Sequence, residues 1–423
     1  MKMFGSTGRR GQGWRRLVAG SAALCLTVLF AVLFSACGSG GSDSGSTGET
    51  TGSTSVETKS DPATGSPVTL GVVDVNEEPE FADSAKASAE YLNQEAGGLG
   101  GHEIKIVECA TTPTPQEDIK CANTFAGDGV VGVVVPADYT IDAAFPVYEK
   151  AGIPVIAEQV ITTQEAVNPV AIGLGPGIPG VLSTLAGYIK DKLHGETVSI
   201  VAPQQGPALE AFVNAPLEAA DLKPTWSYMA AENPDFTSTF VSAEQQDPDA
   251  MLVDIDDTSQ CVPAMNALAN GGGTGEFQVF QIQCSDDSVF EAAGSLADGQ
   301  LFYAPLDSIA GVTTPDSELF EHIMSTYSST DSNGYAASVA AASVITLGHV
   351  MEDQKTVTPK SILAAFEHAN GKKIFMGPPL ECGEFEALPR VCTVSMRLFT
   401  TEGGKKKVLT GYISYPQYIS IPH

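Results

Sequence analysis

Asp256 and Asp257, with Asp254 just ahead of them, follow the apolar run Met251–Val253. Carboxylates so placed can receive an ammonium group through charge-assisted hydrogen bonds. Gln204 and Gln205 follow another apolar run, Val198–Ala202, and side-chain amides offer donors and acceptors without charge. Pro136-Ala137-Asp138-Tyr139-Thr140 follows the β-branched Val130–Val135, and Asp138 there could take an ammonium or a hydroxyl. Asn76-Glu77-Glu78 and Ala157-Glu158-Gln159 also follow short apolar runs. For the first of these the competing reading is a capped strand–helix connection, and for the second a surface loop.

Other reactive patterns fall short. Gly175-Pro-Gly177-Ile-Pro-Gly180 satisfies GxGxxG formally, but it carries two prolines and no acid closes the next strand. It is expected to be a chain crossing that uses glycine's backbone freedom, not a dinucleotide site. The aspartates at 254–257 lack the spacing of a calcium loop. His102-Glu103 lacks the second histidine of a metalloprotease helix, and no GxSxG elbow precedes a helix. A hydrolase would need an activated nucleophile that is not evident. The chain is therefore expected to be no enzyme, with no cofactor and no metal.

Compartment is written at the N-terminus. Lys2 and Arg9, Arg10, Arg15 and Arg16 precede the apolar stretch Leu17–Phe34, and Ser35-Ala36-Cys37 closes it. That order is a secretory signal over 1–36. The small residues before Cys37 resemble a bacterial lipobox, in which that thiol is acylated; an uncleaved membrane anchor is the alternative. Removing the signal takes five basic residues and no acid from a chain already at −29. Nucleic acid is thereby excluded as a partner, because phosphate binding needs clustered Lys and Arg. Six cysteines remain in the exported part, Cys109, Cys121, Cys261, Cys284, Cys382 and Cys392. They allow fifteen connectivities, of which sequence proximity favours Cys109–Cys121, Cys261–Cys284 and Cys382–Cys392.

From Cys37 to residue 66 the chain is Gly, Ser and Thr with scattered acids, the composition of a flexible tether. The remainder is too long for one core, so two lobes are expected. Strands are expected at 68–75, 102–109, 130–135, 153–157, 169–174, 198–202, 223–229, 250–255 and 278–282. Helices are expected at 83–95, 116–126, 139–151, 181–193, 208–220, 338–351 and 359–369. Short apolar runs separated by helices describe an α/β fold of two doubly wound parallel-sheet lobes. Ligands in such folds sit beyond the carboxyl ends of strands, where the polar loops named above fall.

The order of several segments carries a resemblance. "SPVTLGVVDVNEE", "AEYLNQEAGGLGGHEIKIVECAT", "CANTFAGDGVVGVVVPADYT", "FPVYEKAGIPVIA" and "NPDFTSTFVSAEQQDPDAMLV" are followed near the C-terminus by "GYAASVAAASVITL" and "FMGPPLECGEF". From Pro67 onward the chain resembles the substrate-binding proteins of branched-chain amino-acid-type ABC importers, which have the type I periplasmic-binding fold. The resemblance implies lobe one at 67–174 plus 304–388, lobe two at 175–303 plus 389–423, three crossings and closure around a ligand. It implies contacts from Asn76, Glu77, Asp138, Tyr139, Thr140, Ala157, Glu158, Gln204, Gln205, Asp256 and Asp257. Relatives that bind amino acids carry Ser or Thr near 138, and Asp138-Tyr139 departs from that, which argues against an ordinary amino acid. The implied protein is a monomeric lipoprotein on the outer face of the cytoplasmic membrane, delivering a small polar or amphipathic ligand to an ABC permease. A ligand sensor signalling to a membrane partner is the alternative.

Overall fold

The computed structural model of the chain describes residues 61–75, 79–204, 206–255, 257–272, 278–280, 282–330 and 334–421. The signal, Cys37, most of the tether, Asn76, Glu77, Gln205 and Asp256 lie outside these residues. The folded chain starts before residue 67. Ala63 donates its N–H to Asn93 O and Gly65 to Gly101 O, each at 2.8 Å. Gly65 and Ser66 thus open the first strand, recruited by backbone pairing to which their side chains give no clue.

Strands β1 (Gly65–Val75), β2 (His102–Thr111), β3 (Gly132–Val135), β4 (Val155–Ala157) and β5 (Ala171–Gly173) form a parallel sheet ordered β2-β1-β3-β4-β5. The second sheet is ordered β12-β11-β10-β9-β8-β6-β7. It comprises β6 (Thr197–Pro203), β7 (Lys223–Met229), β8 (Ala250–Val253), β9 (Gln278–Phe280), β10 (Leu301–Ala304), β11 (Arg397–Glu402) and β12 (Lys405–Val408). β3, β4, β5 and β8 are buried along their whole length, as continuous apolar strands covered on both faces must be. The second sheet departs from the all-parallel expectation. β11 pairs antiparallel with β10, and β12 with β11 through the two-residue loop Gly403-Gly404, both at positive φ. Such a loop suits the strand twist of a hairpin.

Helix Pro79–Glu95 lies against helix Tyr335–Met351, and helix Pro359–Glu367 against the latter. The single helix expected over 139–151 is instead a 3-10 turn, Ile141–Ala143, followed by helix Phe145–Ala151. Pro146 has no N–H for a continuous ladder and falls in the first turn of that helix, where none is needed. The helix expected over 181–193 starts at Gly177 and runs to Gly187, with a wider π turn over Tyr188–Leu193.

Two chain crossings between the sheets run side by side. Gly173 at the end of β5 donates to Arg390 O at 2.8 Å and accepts from Cys392 N at 2.7 Å. Nearby, Asp307 after β10 accepts from Arg397 Nε at 2.9 Å, and both side chains are largely buried. The Tyr412 hydroxyl lies 2.9 Å from both Asp307 Oδ1 and Met376 O, and the guanidinium rests 4.1 Å from the Tyr412 ring centre. The bonds Cys109–Cys121, Cys261–Cys284 and Cys382–Cys392 are all present.

Candidate functional site

A cavity of about 700 Å³ opens beyond the carboxyl ends of strands from both sheets. Val75, the loop Ala137–Tyr139 after β3 and the loop Glu158–Ile161 after β4 border it from the first sheet. Asp254 after β8, Gln283 after β9 and Tyr303 on β10 border it from the second. The volume is in the range of small-molecule sites.

Glu158 is the most constrained of these side chains. It is 1 % exposed, and its Oε2 is buried without a hydrogen-bond partner. Burial pushes its carboxyl up to about 8, so it is mostly protonated at neutral pH and can donate as well as accept. The chain makes room for it with Gly175, where an added Cβ would lie 2.0 Å from Glu158 O and 2.6 Å from Oε1. Gly177 has φ +60°, and a Cβ there would lie 2.4 Å from Val160 O. The GxGxxG pattern is therefore a close-approach device for the 158–160 loop. Glu165 secures that loop by accepting from Ile161 N and Thr162 N, each at 2.9 Å, in a capping box with Thr162.

Asp138, also 1 % exposed, is turned partly into its own loop. Its Oδ1 accepts from Thr140 N at 2.8 Å and lies 2.9 Å from Thr140 Oγ1. The same hydroxyl lies 2.5 Å from Asp118 Oδ2. Burial, above all, pushes Asp118 up to about 6; the Thr140 hydroxyl pulls it down and the neighbouring Asp138 charge pushes it up. Asp138 Oδ2 is buried without a partner. Across the cavity, burial raises the Tyr303 phenol; Asp254 adds most to that, opposed by the Ile282 N–H, with Tyr139 and Glu158 contributing further.

Of the residues expected from sequence, Asp138, Tyr139 and Glu158 border the cavity. Ala157 is buried at the end of β4, and Thr140 braces Asp138 behind the lining. Gln204 is exposed and does not line the cavity. Asp257 does not line it either: exposed, it caps helix Thr258–Ala267 by accepting from Ser259 N at 2.9 Å. A capping aspartate after a strand has the same sequence signature as a ligand contact. Asp254 lines the site instead. Gln159, from the same Ala157-Glu158-Gln159 segment, also lines it; Tyr303 and Tyr335 were not among the expected contacts, and Trp226 gives no sequence signal beyond an aromatic in a strand.

No match was found among curated protein sequences. A model of the periplasmic binding protein family matches residues 71–380. Among solved structures, the leucine-binding protein LivK of Thermotoga maritima superposes with a TM-score of 0.65 at 13% identity, over 81% of this chain and 98% of that one. The branched-chain amino-acid substrate-binding protein LivJ of Streptococcus pneumoniae, solved with isoleucine, gives 0.64 at 16%, over 82% and 99%. A fatty acid ABC transporter substrate-binding protein from Thermomonospora curvata gives 0.64 at 14%, over 86% and 98%. These identities speak for a shared fold. With the family's model matching most of the chain, over residues 71–380, and a cleft bordered by both sheets, the chain belongs to the periplasmic binding protein family.

Proposed function

We propose that the protein is an extracytoplasmic solute receptor that captures a small amphipathic molecule between two lobes and delivers it to an ABC import permease. The observation that carries this reading is the cavity bordered by strand ends of both sheets beside paired crossings. In the proposal, lobe one comprises about 67–174 with 304–388, and lobe two 175–303 with 389–423. Each lobe supplies part of the polar contact, Glu158 and Asp138 from the first and Asp254 and Tyr303 from the second. A ligand touching both halves favours the closed arrangement by its extra contacts there. No bond of the ligand is broken. Fold neighbours solved or named with isoleucine, fatty acid and 4-hydroxybenzoate support a small organic ligand. Acylation at Cys37 would hold the receptor at the outer face of the membrane, and release of Cys37→Ser into the soluble fraction checks that part.

The test is a thermal-shift screen of the full chain against amino acids, amides, alkyl amphipaths and aromatic acids, with X-ray scattering on any ligand found. A saturable rise in melting temperature with a smaller radius of gyration is expected. At 100 times its dissociation constant a ligand adds about 2.7 kcal/mol. A ligand that binds without compaction would overturn the closure mechanism.

A further inference from the structure

The cavity does not end at the ring of acids. It continues into the second lobe between helix Gly177–Gly187 and the face of the second sheet, past Val181, Leu182, Leu185, Ile200, Leu252 and Val279. Val213 of helix Pro207–Ala219 and Trp226 of β7 border it further on. These residues belong to or pack against one apolar cluster, so the inner part of the cavity lies within what would otherwise be the lobe's core. Protein interiors are close-packed, and a void among apolar side chains costs stability in proportion to its volume. Water is a poor filler for a wall that offers it few polar partners.

The outer part of the cavity has the opposite character. Asp138, Glu158 and Asp254 are among its lining residues, and no lysine or arginine is. Nor can the remaining internal positions supply a cation. Residues 76–78, 205, 256, 273–277, 281 and 331–333 contain no Lys, Arg or His in the sequence. An anionic head group placed here would find no lysine or arginine in the lining and would sit beside the carboxyls of Asp138 and Asp254, which is costly in a desolvated site. Glu158, 1 % exposed with its Oε2 unpartnered, is instead a ready hydrogen-bond partner for a neutral or cationic group.

We infer that the ligand is an amphipath whose apolar chain or ring system occupies the slot between helix Gly177–Gly187 and the second sheet, while a head group without negative charge meets Glu158, Asp138 and Asp254. The inference rests on the solute-receptor reading and names its ligand class. It separates this site from one built for a free amino acid, whose carboxylate would find no cation and whose side chain would leave most of the inner slot unfilled.

The sequence contains two tryptophans, Trp14 and Trp226, so a Trp14→Phe background makes Trp226 the sole indole reporter at the inner wall. In that full chain, fluorescence titrations would compare hexyl to decyl amines, alcohols and carboxylates below their micelle-forming concentrations, with leucine alongside. Affinity for the amine or alcohol series is expected to rise about threefold to fourfold per methylene, the equivalent of ~0.8 kcal/mol per buried CH₂. The carboxylates are expected to bind at least tenfold more weakly than the better of the other two series. Val181→Phe, which narrows the slot, is expected to abolish the gain for the longest chains and leave hexyl binding within threefold. Equal or tighter carboxylate binding, or affinity independent of chain length, would overturn the inference. Leucine binding without any alkyl probe would overturn it too, yet leave the receptor standing. If neither leucine nor any alkyl probe binds, and the wider screen is also silent, both readings fall.

Discussion

Helix Pro79–Glu95 packs on parallel strands of the first sheet and helix Pro207–Ala219 on β7 of the second, but they do so differently. The first buries nine side chains, from Phe81 to Leu92, and its neighbour Tyr335–Met351 comes so close that a Cβ on Gly348 would lie 2.9 Å from the Leu92 side chain. The second buries only Pro216 and Leu217 among its described side chains, while Phe212 and Val213 are half-buried. In the first half the helix packs flush on β1 and β2. In the second half the slot lies between helix Gly177–Gly187 and the sheet, and helix Pro207–Ala219 reaches it at Val213. The same architecture thus closes one helix–sheet interface by packing and leaves a cavity at the other.

Truncation should separate the two regions most strongly. Phe125 is fully buried on the first sheet, with its ring against Gly71. Phe125→Ala should cost about 3–5 kcal/mol in denaturant unfolding, the usual range for a deleted core aromatic. Trp226→Ala, at the wall of the slot, should cost less than half as much without ligand, because its contacts are already incomplete. Equal losses would break the comparison.

Enlargement sharpens it from the other side. Val133→Phe, in the buried β3, should cost about 1–3 kcal/mol or more through overpacking. Ile200→Phe, which projects into the slot from β6, should change stability by under about 1 kcal/mol while weakening ligand binding. The checks are paired urea melts and ligand titrations; a large loss for Ile200→Phe would mean that the slot is not open space.

A further prediction concerns pH. Burial raises the Glu158 carboxyl from 4.5 to about 8, and Glu165 likewise. Between those values the folded chain binds more protons than the unfolded one, so these groups lower stability as pH rises from about 4.5 to 8. Their contribution is most favourable below the unfolded value and fully lost above the folded one. Asp118, raised to about 6, acts in the same direction over the lower part of that window, so Glu158→Gln should flatten melting temperature against pH in part. An unchanged slope would mean that Glu158 is ionised in the folded state.

The fold was legible because its signals are local. Val133-Val134-Val135 and Ile200-Val201-Ala202 are buried-strand runs by composition alone, and Gly129 and Gly152 end helices at left-handed positions. The antiparallel pair β11–β12 was missed although its Gly-Gly loop was in view, because Lys405-Lys406-Lys407 does not look like a strand that pairs. The site was only half legible. Position after a strand points equally to Asp138, Tyr139 and Glu158, which line the cavity, and to Asp257 and Gln204, which do not. Whether a loop carboxylate caps a helix or faces a cleft depends on backbone direction at one residue.

The sequence by itself determined an acidic, disulfide-bearing α/β chain whose order of segments follows one binding-protein family, since strand and helix runs, cysteine spacing and charge are properties of neighbouring residues. Only the tertiary structure decided that Glu158 is buried against Gly175, that Tyr303 and Asp254 join it from the other sheet, and that an apolar slot lies between helix Gly177–Gly187 and the second sheet. Each of these depends on contacts between residues far apart in the chain, where packing distance, and not residue type, sets the chemistry.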